Sequence, residues 1–228
     1  MKPGPPENVF ADIHDNNSWG SRESVSGAGS ELANTSQLIR ELSLLLRDLR
    51  IKTLLDLPCG DFNWMQHVDL AGIDYHGADI VEALVQRNSE RFTGPGKRFS
   101  RMNLLADRLP EVDLIICRDC LFHFSNDDVF KALHAFVDSN ARWLLTTTMI
   151  YRGLPRNSDI QTGGWTTINL EMPPYLLPPP KRLLLEGNVT ELVNYVGPQG
   201  VVQYPQNDRC LGLWPIDDIR DTLARIGR

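Results

Sequence analysis

Cysteine is scarce in this chain of 228 residues: four are present, Cys59, Cys117, Cys120 and Cys210. They sit inside apolar or motif-like stretches without a spaced framework, which argues against a disulfide-stapled secreted scaffold and for a reduced, cytoplasmic protein. Cys117 and Cys120 form a C-x-x-C, but no second ligand pair stands at zinc-site spacing, so they read as buried thiols and no metal is expected. Long apolar runs are also missing. Nothing approaches the roughly 18–20 residues of a membrane span, and MKPGPPENVF at the start has no hydrophobic signal region, so no membrane insertion is expected. There is no surplus of basic charge: 23 Lys and Arg face 29 Asp and Glu, a formal net charge of −6. Phosphate contacts normally need a basic face, so nucleic acid is not expected as a partner.

What is present is a core-forming composition, 42% hydrophobic, in a chain long enough for a single domain over 1–228 with an elaborated loop. Residues 1–33 are rich in Gly, Ser, Asn and Pro and read as irregular structure. Leu38, Ile39, Leu42, Leu45, Leu46 and Leu49 then recur at helical spacing. From Lys52 onward, strand-like runs at 53–57, 74–80, 98–104, 112–117 and 143–149 alternate with helical patterns near 62–67, 81–91 and 126–139. This rhythm predicts an α/β fold: a doubly wound, mostly parallel seven-stranded sheet with helices on both faces. Runs such as TLLDL and VDLIIC are apolar throughout, as strands buried on both faces must be. Residues 150–181 break the rhythm with many Pro, Gly and Asn, a length of loop that is usually functional or disordered. Apolar runs at 182–185 and 210–214 supply the closing antiparallel strands. Pro215 then opens a helix that carries Ile216, Ile219, Leu223 and Ile226.

The segment LLDLPCGDFNW, residues 54–64, ends a strand on Asp56 and turns at Gly60. In a doubly wound sheet the ligand lies beyond the carboxyl ends of the strands where strand order reverses, so this turn must let its backbone approach the ligand. The segment resembles motif I of the class I S-adenosylmethionine-dependent methyltransferases. Asp56 matches the acidic position and Gly60 the central glycine, while Pro58 and Phe62 stand where the family usually has two further glycines. A dinucleotide loop needs those glycines to admit a pyrophosphate, and no G-x-G-x-x-G follows the first strand, which excludes a nicotinamide oxidoreductase. S-adenosylmethionine has no phosphate and tolerates a bulkier loop. The resemblance implies a cofactor wall made by Asp56, Pro58, Cys59, Gly60, Asp61 and Trp64; the alternative is an ordinary buried strand and turn.

Asp79 ends the second strand in DYHGADIVEAL. A carboxylate there can accept both ribose hydroxyls, and the resemblance gives Asp79 that role and Ile80 the packing against adenine. As a cap, Asp79 would instead start the following helix. In FSRMNLL, Asn103 offers a side-chain carbonyl to the adenine amino group and Leu104 a cover for the ring, or Asn103 is a turn residue. Past the fourth strand, CRDCLFHFS places Arg118, Asp119 and His123 where the family lines the space between cofactor and acceptor. Methyl transfer draws on proximity and alignment, with a base needed only if the acceptor must lose a proton; His123 has the fitting pKa. The other reading of His123 is a packed helix-start histidine.

Two further strings extend the resemblance from about Trp19 to Trp214. The lead-in NNSWGSRESVSGAGS looks like that of a bacterial group carrying Trp, then S-x-S-G-x-G-S, then D-x-x-C-G-D-x-x-W; there it folds over the cofactor, which implies contacts from Trp19, Ser26 and Gly27. The segment NSDIQTGGWTTINLEMPPYLLPPP is similar to the same group's lid, which would present Asn157, Asp159, Trp165, Asn169 and Tyr175 to a polar acceptor, unless these residues pack the loop onto the sheet. The expectation is therefore S-adenosylmethionine-dependent methylation, at oxygen, of a small-molecule or glycan acceptor. The competing expectations are a non-catalytic S-adenosylmethionine-binding module and an N-methyltransferase acting on a small metabolite.

Overall fold

The computed structural model describes residues 5–150, 157–186 and 209–228, together with the backbone of two strands at 192–197 and 200–205. Seven strands form the main sheet: β1 (Thr53–Asp56), β2 (Asp74–Asp79), β3 (Lys97–Arg101), β4 (Leu114–Cys117), β5 (Trp143–Met149), β6 (Arg182–Leu185) and β9 (Arg209–Pro215). Their order is β3-β2-β1-β4-β5-β9-β6. The first five pair in parallel, whereas β9 runs antiparallel to both β5 and β6. A separate antiparallel ribbon of β7 (Leu192–Gly197) and β8 (Gly200–Pro205), not expected from the sequence, completes the strands.

Adjacent residues of the central strands point to opposite faces, so one apolar run feeds two cores. Leu55, Ile115 and Leu144 face a core with Leu133 and Phe136 of α4 (Asn126–Asp138) and Ile219 of α5 (Ile216–Arg225). Leu54, Leu114 and Leu145 face the other, with Leu38, Leu42, Leu45 and Leu46 of α2 (Leu32–Asp48). α3 (Glu82–Phe92) brings Phe92 to that second core beside Phe62, Tyr75 and Phe99.

Several boundaries differ from the sequence expectation. Residues 6–15, read as irregular, form α1 (Pro6–Asp15), with Pro at its start, Glu7 in the first turn and His14 in the last. It buries no residue completely; Val9, Phe10 and Ile13 do recur at helical spacing, but over only ten residues inside a stretch rich in Gly, Ser, Asn and Pro. The helix expected near 62–67 is only a 3₁₀ turn at Met65–His67. β3 ends at Arg101 and not near 104, because Asn103 starts a turn: its side-chain carbonyl accepts from Leu105 N (2.9 Å) and its backbone carbonyl from Asp107 N (2.8 Å).

The switch in strand order falls between β1 and β4, where the chain departs to β2 on one side and β5 on the other. The loops leaving β1 and β4 diverge there and open a crevice above the sheet.

Candidate active site

A cavity of about 290 Å³ occupies this crevice. One wall is the loop after β1. Gly60 has φ +55°, and a Cβ there would collide with the Ser26 hydroxyl, so backbone conformation and close approach both call for glycine. Phe62, which stands where the family has a further glycine, also holds a left-handed φ of +60°. Its ring turns down into the core between Tyr75, Phe92 and Phe99, and that burial offsets the backbone cost.

Asp79 ties the loop to β2. Its carboxylate accepts from Gly60 N (3.0 Å) and Val81 N (2.9 Å), and burial raises its pKa. The contact to Val81 is a turn just ahead of α3: Val81 is the N-cap and no side chain caps the helix, so Asp79 lies on the cavity without capping α3. A carboxylate has about four acceptor positions; the N–H groups of Gly60, Val81 and Ile80 bond this one, and acceptor capacity remains on the cavity side. Asp56 lies beneath, accepting a hydrogen bond from the Tyr75 hydroxyl (2.7 Å), with its pKa pushed up by burial to about 7. An unfolded aspartate titrates near 3.9. Folding therefore gains its full contribution from protonated Asp56 below about pH 4 and loses it as pH rises through about 7. Asp56→Asn should melt several degrees higher than the unaltered protein above pH 7 and indistinguishably below pH 4. Thermal melts across that range check this; equal pH dependence in both proteins would refute the buried carboxylic acid.

The N-terminal lead-in is clamped onto the same loop. Asp61 accepts from the Ser24 hydroxyl (3.1 Å), Val25 N (3.0 Å) and the Ser26 hydroxyl (3.3 Å), while the Ser26 oxygen accepts from Asp61 N (3.0 Å). Asn63 donates to Glu23 (2.8 Å) and to the Ser30 carbonyl (3.0 Å). These bonds place Ser26, Gly27 and Trp19 on the cavity rim, with Phe10 and His14 of α1 beside them.

The loop after β4 supplies the opposite end. Arg118 is buried, makes a forked pair with Glu186 (2.8 and 2.7 Å), donates to the Gly29 carbonyl (2.7 Å) and lies over the Trp64 ring. Asp119, at φ +51°, contacts Arg118 (3.1 Å) and Arg209 (3.2 Å), and Arg209 Nε reaches Glu186 (2.9 Å). Burial works to raise the Asp119 carboxyl, but the two arginines outweigh it and hold it below the ordinary range. Two cations and two anions are thus paired in one buried cluster. Gly29 lies against it: a Cβ there would meet Arg209 and Asp119 at 2.8 and 2.9 Å.

His123 stands in a 3₁₀ turn, Leu121–His123. Its Nδ1 is 2.7 Å from the Gly164 carbonyl. A carbonyl oxygen only accepts, so Nδ1 carries the proton and Nε2 the lone pair. Burial lowers the His123 pKa below its ordinary value, which keeps the ring neutral at pH 7. Trp19 stacks on it at 5.6 Å and Phe122 packs at 4.5 Å, with Phe10, Phe124 and Trp165 completing an aromatic wall.

The cavity therefore gathers Trp19, Ser26, Gly27, Asp56, Pro58, Cys59, Gly60, Asp61, Trp64, Asp79, Ile80, Asn103, Leu104, Arg118, Asp119, His123 and Trp165 from six separate segments. It does not gather the rest of the expected lid. Asn157 donates to the carbonyls of Asn169 (2.8 Å) and Pro173 (3.0 Å), and its own carbonyl accepts from Asn169 N (2.7 Å). Asp159 accepts from Asn126 N (2.8 Å), and the buried Tyr175 hydroxyl donates to Asn126 (2.6 Å). These four residues hold residues 157–175 against one another and against the start of α4; none lines the cavity. Residues 151–156 of the expected lid lie outside the described residues. Asn103 reaches the cavity, but its side-chain carbonyl is already engaged by Leu105 N. Sequence reading passed over Phe10, His14, Met102, Glu186 and Arg209. For the last two there was a signal: a charged residue directly abutting an apolar strand, in RLLLE and RCLGLW.

No protein-family model matches the chain, and no curated protein matches it in sequence. Solved structures do. The chain is similar to magnesium protoporphyrin IX methyltransferase from Synechocystis PCC 6803 with bound SAM, at 12% identity and a TM-score of 0.56 over 93% of this chain and 99% of that one. The fold is the Rossmann-like methyltransferase fold. The [4+2]-cyclase SpnF is similar at 17% identity and a TM-score of 0.55, over 77% of this chain and 72% of that one. The methyltransferase domain of bacterial CtHen1 is similar at 13% identity and a TM-score of 0.50, over 79% and 98%. A cyclase among these neighbours means that the reaction must be argued from the site and not from the architecture.

Proposed function

We propose that the chain is a single-domain S-adenosylmethionine-dependent methyltransferase acting on an oxygen of a small hydroxylated acceptor, a sugar among the candidates. The observation that carries this reading is one cavity with an adenosyl-type end at Asp79 and an aromatic end with a lone-pair nitrogen at His123. The fit to the cofactor rests on the remaining acceptor capacity of Asp79 on the cavity and a loop whose Pro58 and Phe62 do not open a pyrophosphate path. The magnesium protoporphyrin IX methyltransferase and the CtHen1 methyltransferase domain share this fold.

In this reading Asp79 accepts from the ribose, Ile80, Asn103 and Leu104 flank the adenine, and the lead-in at Trp19, Ser26 and Gly27 covers the methionine end. Bound there, S-adenosylmethionine supplies an activated methyl group. The aromatic wall holds the face of an acceptor ring and excludes water. His123 Nε2 takes the proton from the acceptor hydroxyl, and the low pKa of the ring keeps it in the base form at neutral pH. Arg118 and Asp119 shape the floor through the charge cluster. The polar groups of the lid are internal, so the case for a hydroxylated acceptor rests on His123.

Isothermal titration with S-adenosylhomocysteine tests the cofactor half. Binding is expected for the unaltered chain, and Asp79→Ala should weaken it on the order of a hundredfold, as loss of charge-assisted hydrogen bonds does. A circular-dichroism melt separates this from collapse of the loop that Asp79 also holds. Absence of heat at millimolar ligand would sink the proposal. Release of S-adenosylhomocysteine with an acceptor then separates an enzyme from a binding module.

A further inference from the structure

The tautomer that leaves His123 Nε2 free is set by one carbonyl, that of Gly164, and a main-chain carbonyl is only as well placed as the segment that carries it. That segment makes two backbone bonds to the histidine turn: Gly163 N to the His123 carbonyl (2.8 Å) and Thr166 N to the Phe122 carbonyl (3.1 Å). Two residues before Gly164, Thr162 makes the link to the rest of the fold. Its hydroxyl donates to Asp128 (2.6 Å) and accepts from Ser125 N (2.9 Å), so a single oxygen is fixed from two directions at the first turn of α4. Asp128 is itself held: Lys131 donates to it (2.7 Å), and burial, which would raise its pKa, is outweighed by these partners so that it stays ionised. Gly163, at φ +98° with Val9 of α1 packed against it, continues the chain to Gly164 without room for a side chain.

We infer that Thr162 and Asp128 are positioning residues: their hydrogen bond fixes the Gly164 carbonyl opposite His123 Nδ1 and thereby selects the tautomer that presents Nε2 to the acceptor. The role given to Nε2 rests on the proposed methyl transfer, whereas the tautomer itself does not. A solvated imidazole favours the Nε2–H form, so without the clamp the lone pair would move to the wrong nitrogen for much of the time.

The test is nitrogen-detected NMR of the full chain carrying ¹⁵N-histidine, with no cofactor or acceptor added and His123→Asn used to assign the signals. His123 should be in the Nδ1–H form in the unaltered protein, in Thr162→Ser and in Asp128→Asn, each of which keeps a hydroxyl and an acceptor oxygen. In Thr162→Val it should shift to a mixture dominated by Nε2–H; Asp128→Ala should do the same and serves if the valine variant does not fold. An Nε2–H form in the unaltered protein, or an Nδ1–H form surviving in a folded Thr162→Val or Asp128→Ala, overturns the inference. Turnover in Thr162→Val should fall roughly tenfold to a hundredfold, the range reached when the partner orienting a metal-bound histidine is lost, with cofactor affinity unchanged. Failure of the methyl-transfer reading would show separately, as absent S-adenosylhomocysteine binding in a protein whose tautomer still follows the clamp.

Discussion

Replacing His123 with alanine is expected to lower turnover by roughly 10²–10⁴-fold, the usual contribution of a positioned general base, while S-adenosylhomocysteine affinity stays within about twofold. The expectation follows from position. His123 lies at the aromatic end of the cavity, stacked on Trp19, while the adenosyl-type wall at Gly60 and Asp79 is built by other segments. Because burial keeps the ring neutral, activity should fall as the ring protonates, with an apparent pKa below the ordinary histidine value. His123→Gln retains a polar group but cannot take a proton, so it should lose turnover as the alanine variant does. Initial rates across pH 5–8 with titration calorimetry on the same samples check both parts. An unaltered rate would reduce His123 to a packing role, and a parallel loss of cofactor affinity would place it at the wrong end of the cavity.

Glu186→Ala should cost about 3–5 kcal/mol of stability, the penalty for breaking a buried ion pair by removing one partner. Glu186 is completely buried and meets Arg118 and Arg209 at once. Its removal takes away a carboxylate shared by both guanidinium groups, and with it the forked pair that orients Arg118 toward the Gly29 carbonyl. At roughly 2–4 °C per kcal/mol for a chain of this size, the melting temperature should drop by about 6–20 °C. Replacing both partners with apolar residues, Arg118→Met with Glu186→Leu, should recover much of the loss, because the cost of a stranded buried charge then disappears. Thermal and urea melts of the singles and the double decide the matter. A single-variant shift below about 2 °C would mean that water reaches the cluster.

Much of the site was legible because it resides in contiguous strings. Asp56 and Gly60 in one turn were read from the resemblance to motif I, and Asp79 from its place at the next strand end, where a doubly wound sheet binds its ligand. The lead-in was legible as a motif, yet its anchor was not: the carboxylate of Asp61 gathers Ser24, Val25 and Ser26 across some 35 positions of chain. The lid was read from its similarity to the same group's loop, with packing of the loop as the other reading, and residue type could not choose between them. Asn, Asp and Tyr in a loop serve equally well to face a ligand or to satisfy loop backbone; in residues 157–175 the backbone donors and acceptors needed them. α1 escaped notice because its ten residues lie in a stretch whose Gly, Ser, Asn and Pro content signals irregular structure.

The sequence by itself determined the layer architecture. Apolar runs of strand length alternating with amphipathic stretches have few ways to bury both sheet faces, and the pattern is local. Only the tertiary structure decided the electrostatics of the site. Arg118 and Glu186 are 68 residues apart, His123 and Gly164 are 41, and no local pattern couples them. Their burial, pairing and protonation are properties of a packed interior, where a charge needs its partner and a histidine takes the tautomer that its neighbour permits.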